Sequence, residues 1–201
     1  MPKVSALHIY PIKGCAGIEL HAARLDPRGL LLDRSFMIID TQGRCLTQRE
    51  LPRMALIRTR LAPTALWLEA QGMRKLSVPL QTQSTDRVRV QVWSDTLAAE
   101  PVPSASDWLS EFLGVECSLV RFADEVVRSV DRAYAPEDAR VGFADAFPLL
   151  LICEASLEAL NRRLVHALPM DRFRPNIVIS GAEPHAEDGW RTLRIGELFL
   201  I

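Results

Sequence analysis

The sequence predicts a mainly β protein of the α+β class, with two packed β-barrel-like modules and a few short helices. Short apolar segments in the first half are separated by Pro, Gly and Asp, which is typical of a curled antiparallel sheet or barrel. Alternation at Val88, Val90 and Val92 indicates a strand with one buried face. The period becomes helical after Pro103. We divide the chain into a first module, residues 1–121, and a second module, residues 122–201.

The first module is predicted to be a series of strands joined by tight turns. Pro11 ends the first strand, and a compact turn with two glycines follows at residues 13–17. Gly29 interrupts the next apolar run, and the composition of residues 40–43 predicts a hairpin turn. The predicted strands are residues 4–10, 19–25, 35–39, 56–61, 65–70, 75–78 and 88–93.

Helical spacing appears in two places. Ser104 and Ser106 are candidate N-caps of a first helix that ends at Gly114, and Ser156 is expected to cap a second helix. Residues 124–141 are charged and lack a clear period, so we expect a long loop that serves as a linker or a lid. Further strands are predicted at residues 115–122, 149–153, 176–180 and 194–201.

Length and charge narrow the classes of function. A chain of 201 residues that is 48% hydrophobic can bury a substantial core. Its formal net charge of -1 argues against a broad nucleic-acid surface, so no nucleic-acid partner is expected. No stretch approaches the roughly 20 apolar residues of a membrane span, and the start lacks the plan of a secretory signal. We therefore expect a cytoplasmic protein without a membrane span.

The chain offers no convincing active site made of protein groups alone. Its four cysteines never form a C-x-x-C pair, which argues against a zinc knuckle, although Cys15 lies in a glycine-flanked loop. No G-x-S-x-G motif is present. The acidic loop contains Glu183, His185, Glu187 and Asp188, a conceivable metal site, but such loops are more often solvated. These absences point towards a bound cofactor.

Three loops each carry a cation beside a turn or strand end: Lys13, Arg34 and Arg174. Gly14 would let backbone amides approach a ligand oxygen. Pro175 is expected to hold Arg174 in an extended conformation before a rigid strand. Guanidinium groups offer five donors in a planar fork that suits an oxyanion. If the three loops converge, they form a phosphate-sized pocket, whereas each cation alone is more often a routine surface residue.

Several motifs together resemble the MOSC family. Phe173-Arg174-Pro175-Asn176-Ile177-Val178 is the most specific of them, and the motifs follow the family order over the whole chain. Three motifs resemble the family's N-terminal β-barrel module, at residues 10–15, 29–37 and 46–49. Four motifs resemble its MOSC domain, at residues 143–148, 154–157, 172–179 and 187–190, the last together with residues 195–196.

The resemblance implies a molybdenum cofactor, a pterin dithiolene with a phosphate, that is held between the modules. It implies that the parent protein reduces N-hydroxylated compounds to amines, with electrons from a separate flavin or iron–sulfur protein or domain. The rival implication is a cofactor carrier or sulfur-handling accessory protein without reductase activity. The residues implied to hold the cofactor are Lys13, Gly14, Arg34, Asp145, Ala146, Phe147, Arg174 and Asn176, the three at 145–147 largely through their backbone.

The resemblance also implies a metal-ligating cysteine just beyond the strand matched by residues 195–201. None of the four cysteines aligns with that position. We therefore expect the parent protein to continue past Ile201, and we assign no metal ligand within the sequence.

Overall fold

The computed structural model describes residues 1–82 and 85–200, and it confirms a mainly β fold with short helices. Ile201, the last residue of the predicted final strand, lies outside the described residues. The first-half strands are β1 Lys3–Ile9, β2 Ile18–Leu20, β3 Leu25–Asp26, β4 Gly29–Leu30, β5 Phe36–Asp40, β6 Arg58–Leu61, β7 Ala65–Glu69, β8 Leu76–Pro79, β9 Val88–Val92 and β10 Asp95–Val102. The later elements are α1 Ser106–Leu113, β11 Cys117–Phe122, β12 Leu151–Cys153, α2 Glu154–Asn161, β13 Ile177–Ser180, β14 Leu193–Ile195 and β15 Leu198–Leu200.

Two four-stranded sheets position the site. One has the order β5-β11-β10-β9 and is antiparallel throughout. The other has the order β12-β13-β1-β2, in which β12 and β13 run parallel and the other pairs are antiparallel. Strand β1 therefore joins two strands of the predicted second module in one sheet. The division between residues 121 and 122 stays a prediction.

The largest core lies between α1 and the first-half strands. Trp108, Leu109, Phe112 and Leu113 recur at helical spacing and are all buried against it. Gly114 adopts a left-handed conformation with φ 74° and ends the helix, because that backbone has little cost for glycine. Within the described residues, no helix is long and apolar enough to cross a membrane.

The predicted serine caps were wrong. α1 begins at Ser106, its cap position is Ala105, and no side chain caps it. Ser156 lies inside α2, whose cap position is Cys153. The Ser156 hydroxyl instead donates to Glu187 at 2.8 Å and accepts the His185 backbone N–H at 2.8 Å. Through these two hydrogen bonds, Ser156 connects α2 to the acidic loop.

Residues 124–141 contain no helix or strand, as the charge pattern predicted. Arg128 anchors this segment, because its buried guanidinium donates to the carbonyls of Gly142 at 2.9 Å and Ala144 at 2.6 Å. The same side chain pairs with Asp95 at 2.6 Å. The segment is thus fixed directly before residues 145–147, which the sequence assigned to the candidate site.

Candidate functional site

One cavity of about 450 Å³ contains every site residue that the sequence predicted. This volume lies within the range of small-molecule pockets. The three separate loops that carry the cations therefore do converge. The predicted residues that line the cavity are Lys13, Gly14, Arg34, Asp145, Ala146, Phe147, Arg174 and Asn176.

Arg34 is held by groups from both halves of the chain. Its guanidinium donates to the carboxylate of buried Asp33, to Asn176 Oδ1 at 2.9 Å and to the Arg174 carbonyl at 3.1 Å. Asp33 in turn accepts the Tyr10 backbone N–H at 2.7 Å. A long side chain fixed at this many points loses little further entropy when it binds a ligand. Arg34 is therefore preorganised.

Arg174 has a left-handed backbone with φ 58°, so the extended conformation predicted from the following proline was wrong. Contacts of the folded chain override the local preference. Arg174 Nη1 donates to the Cys15 carbonyl at 2.6 Å, and Nη2 is buried without a hydrogen-bond partner among the described residues. A buried donor without a partner is costly, so Nη2 is a group that a bound anion would satisfy.

Both guanidinium groups lie against the Tyr10 ring, with Arg34 at 4.7 Å and Arg174 at 4.2 Å from its centroid. Burial and the charge of Arg34 lower the pKa of Arg174. Burial raises the pKa of Tyr10 to about 12, against the opposing charges of the two arginines. Two like charges this close repel each other, and an anion bound between them would relieve that repulsion.

Lys13 forms the opposite part of the cationic wall. Its ammonium group donates to the Phe143 carbonyl at 2.8 Å and to the Asp145 carboxylate. Trp93 Nε1 donates to the same carboxylate at 3.0 Å. Lys13 and Arg49 both lie over the Trp93 ring, at 5.7 and 5.6 Å from its centroid. Asp145 therefore orients Lys13, and its carboxylate remains largely solvent-exposed.

The Lys13–Asp145 pair should make stability depend on acid pH. Burial raises the pKa of Asp145, but Lys13, with help from Trp93 and Arg34, outweighs burial and holds that pKa below its ordinary value of 3.8. A carboxyl group with a lowered pKa stabilises the fold above its unfolded pKa, and this contribution is lost as the pH falls through the folded pKa. In a cycle of Lys13→Met and Asp145→Asn, urea unfolding should show coupling at pH 7 that declines as the pH falls below about 4. Coupling that persists at pH 2 would contradict this ionic origin.

A side chain at position 14 would clash with its neighbours at the cavity wall. Its φ is +85°, and an added Cβ would lie 2.6 Å from Met54 Cε. Its N–H has no hydrogen-bond partner among the described residues, whereas Lys13 N–H and Cys15 N–H are bonded to backbone carbonyls. Because Gly14 lines the cavity, its backbone N–H is a candidate donor to a bound anion.

Gly14→Ala should destabilise the fold by about 2–4 kcal/mol, the sum of left-handed strain and overpacking against Met54. Gly72→Ala is the matched control, because Gly72 has φ +82° and no atom within 4 Å of its added Cβ. The control should lose only about 1–2 kcal/mol in urea unfolding. Equal losses in the two variants would show that Met54 moves aside without cost.

Sequence reasoning missed Tyr10, Arg49 and Trp93 as site residues. Tyr10 and Arg49 belong to motifs that carried the family resemblance, so those motifs were the available signal. No sequence pattern indicated Trp93 as a site residue. It occupies the two-residue turn between β9 and β10, with φ 54°, where sequence patterns favour glycine rather than an aromatic residue.

The protein's own groups fit an anion rather than a metal. Within residues 1–82 and 85–200, no group of three His, Cys, Asp or Glu side chains could hold a metal ion. The conceivable metal site in the acidic loop is wrong, since Glu187 accepts the Cys153 N–H and the Ser156 hydroxyl. Cys15 is fully buried, and burial raises the pKa of its thiol to about 12, so it is a core residue.

The fold and the cavity define a class: mainly β proteins with a cation-lined cavity built from distant loops. Residues 1–116 match the MOSC N-terminal beta barrel domain, and residues 138–201 match the MOSC domain. The chain belongs to the MOSC family, which confirms the resemblance that its motifs indicated.

Two kinds of named relative match nearly the whole chain. Mitochondrial amidoxime-reducing component 1 of Mus musculus is 34% identical over 209 residues, which cover 98% of this chain and 61% of the mouse protein. The Homo sapiens protein of the same name is 33% identical over 208 residues, with coverage of 98% and 61%. Molybdenum cofactor sulfurase of Oryza sativa is 34% identical over 222 residues, which cover 96% of this chain and 26% of that protein. The chain thus spans about three fifths of the first relatives' length.

Proposed function

We propose that this chain binds a molybdenum cofactor in its cationic cavity, and that the parent protein uses it to reduce N-hydroxylated compounds to amines. The convergence of Lys13, Arg34 and Arg174 on one cavity carries the proposal. The names of the amidoxime-reducing relatives support the substrate class, and the name of the sulfurase relative supports the cofactor.

The residues present fit a phosphate-bearing pterin. Within residues 1–82 and 85–200, a buried Arg174 N–H and the Gly14 N–H have no partner, and two arginines lie against one tyrosine, a donor set that suits a phosphate. Arg34 and Arg174 would hold the phosphate. Lys13 would hold a further oxygen or ring atom of the pterin, while Asp145 keeps its ammonium group in place.

When bound, the cofactor supplies the two-electron chemistry. Reduction of an N–OH group to N–H breaks the N–O bond, consumes two electrons and two protons, and releases water. Electrons would come from a separate flavin or iron–sulfur protein or domain. The chain's own residues would bind and orient the cofactor. We also propose a cytoplasmic location.

The sulfurase relatives support a second candidate function, a cofactor carrier or sulfur-handling accessory protein. Both candidate functions need the same cationic cavity, and one fold can host several activities. They differ in turnover, because a carrier binds the cofactor without producing an amine.

The test is to express the full-length gene product in a host that makes the cofactor and in a host that cannot. We expect about one pterin and one molybdenum per chain from the first host and neither from the second. A reduced dye with benzamidoxime should then yield benzamidine. Bound pterin without amine product would favour the carrier, and absence of pterin from both preparations would refute the cofactor assignment.

A further inference from the structure

A second cavity, of about 410 Å³, adjoins the cationic cavity, and the walls of the two share only Arg174 and Gln48. Its volume lies within the range of small-molecule pockets. The other groups that line it come from β1, β2 and the residues just after each of them or before the Arg174 loop, and none of these groups lines the cationic cavity. The second cavity is therefore distinct from the place proposed for the cofactor.

Polar groups without partners lie on the inner wall of the second cavity. Tyr10 is 2% exposed and lines this cavity, and within residues 1–82 and 85–200 its hydroxyl makes no hydrogen bond. His8 Nδ1 is also buried without a partner in that part of the chain. Gly17 leaves room for the tyrosine, since an added Cβ would lie 2.5 Å from Tyr10 Cε1. Because buried polar groups without partners are costly, this wall suits a polar ligand.

The rim of the second cavity carries both signs of charge. Glu19, Asp171 and Arg172 line it, and all three side chains are exposed. None of the three forms a side-chain hydrogen bond or an ion pair with another described residue. Carboxylates bind an ammonium group, and a guanidinium group binds a carboxylate. These rim charges therefore match a ligand that carries one charge of each sign.

The rest of the wall limits what else the ligand can carry. Ala16, Gly17 and Ala55 line the cavity, and their small size leaves space for an apolar side chain. The Tyr10 hydroxyl stays protonated at neutral pH, because burial raises its pKa to about 12, so it can donate to a carboxylate.

We propose that the second cavity binds an α-amino acid with a small apolar side chain in its zwitterionic form. Glu19 and Asp171 bind the ammonium group. Arg172 and the Tyr10 hydroxyl bind the carboxylate. The inference goes beyond the proposed function and does not depend on it, because none of these four groups is assigned to the cofactor.

The test is calorimetric binding of three probes to the full-length gene product from the host that makes the cofactor. The probes are L-leucine, isoamylamine, which lacks the carboxylate, and isocaproate, which lacks the ammonium group. L-Leucine should bind about tenfold more tightly than either other probe, the ordinary contribution of a charge-assisted hydrogen bond. Tighter binding of the amine or the acid would overturn the zwitterion assignment, and failure of L-leucine to bind at millimolar concentration would overturn the site.

Substitutions separate the two ends of the ligand. Arg172→Ala and Tyr10→Phe should each weaken the binding of L-leucine and isocaproate about tenfold and leave isoamylamine unchanged. Glu19→Gln combined with Asp171→Asn should weaken L-leucine and isoamylamine about tenfold and leave isocaproate unchanged. Glu111→Gln is the matched control, because Glu111 is an exposed carboxylate on α1 that lines neither cavity. It should bind all three probes as the wild type does.

Pterin per chain distinguishes this inference from the proposed function. Arg172→Ala should lose L-leucine binding and keep the pterin, because Arg172 does not line the cationic cavity. Binding of L-leucine by protein that contains no pterin from either host would support the second cavity and refute the cofactor assignment. Unchanged L-leucine binding in both Arg172→Ala and Tyr10→Phe would overturn the inference and leave the cofactor assignment untouched.

Discussion

Arg174→Ala should remove most of the bound cofactor while the fold persists. The variant loses a buried guanidinium whose Nη2 has no partner in the described chain and whose Nη1 is bonded to the Cys15 carbonyl. Charge-assisted hydrogen bonds contribute about 1.5–3 kcal/mol each, so the affinity for a phosphate-bearing ligand should fall by roughly 10- to 100-fold. The measurement is pterin per chain, by fluorescence after oxidative release from the purified protein.

The stability of the fold should fall only modestly in Arg174→Ala. The substitution breaks the bond to Cys15 and the contact with Tyr10, but it also removes the repulsion between Arg174 and Arg34. We expect a net loss of about 1–2 kcal/mol in urea unfolding. A bound ligand stabilises the fold by mass action. The unfolding of Arg174→Ala and the wild type should therefore be compared with protein expressed in the host that cannot make the cofactor.

Two further variants test whether the loss of cofactor is specific to the Arg174 guanidinium group. Arg172→Ala is the matched control, because Arg172 is an exposed arginine two residues away that does not line the main cavity. It should retain the cofactor. Arg174→Lys keeps the charge but loses the planar fork, so its occupancy should lie between the wild type and Arg174→Ala. Full pterin retention by Arg174→Ala would remove Arg174 from the phosphate site.

Local sequence signals identified several of the elements, but they missed β10 entirely, took the β14–β15 hairpin for a single strand at residues 194–201, and did not reveal how the site is assembled. The alternation at Val88–Val92 and the helical spacing before Gly114 identified β9 and α1, because burial of one face dictates both patterns. The bonds of Arg34 to Asn176 and to the Arg174 carbonyl join residues about 140 positions apart. No spacing rule reaches that far, so the family motifs alone suggested convergence.

The incorrect sequence predictions have physical causes of the same kind. Pro175 disfavours helical backbone at Arg174, but several tertiary contacts to its side chain and carbonyl hold it at φ 58°. Ser156 fits the pattern of a cap, yet Glu187 and His185 from a later loop engage its hydroxyl. Trp93 occupies a turn position at φ 54°, where its indole N–H donates to Asp145 from a distant part of the chain. In each case a long-range contact outweighs a local preference of about 1 kcal/mol.

Asn176→Ala should be the most destabilising of the single substitutions considered. Asn176 is 1% exposed, and its side chain bonds three parts of the chain. Its Oδ1 accepts from Arg34 at 2.9 Å and from the Leu150 N–H at 3.1 Å, and its Nδ2 donates to the His8 carbonyl at 3.2 Å. Removal leaves buried groups without partners, each costing about 1–3 kcal/mol. We expect a loss of about 3–5 kcal/mol in urea unfolding.

The position of Asn176 explains why the effect should extend beyond stability. Its amide joins β1, the residue before β12 and a cationic side chain of the cavity, so its role is to position Arg34. Pterin per chain should therefore fall as well, even at temperatures where the variant is folded. Asn161→Ala is the matched control, because within the described residues the Asn161 side chain makes two hydrogen bonds, both to the Leu168 backbone, and it does not line the cavity. The control should lose about 1–2 kcal/mol and retain the cofactor. Equal losses of stability in both variants, with normal pterin content in Asn176→Ala, would show that Asn176 is an ordinary structural contact and that Asp33 and the Arg174 carbonyl are sufficient to hold Arg34.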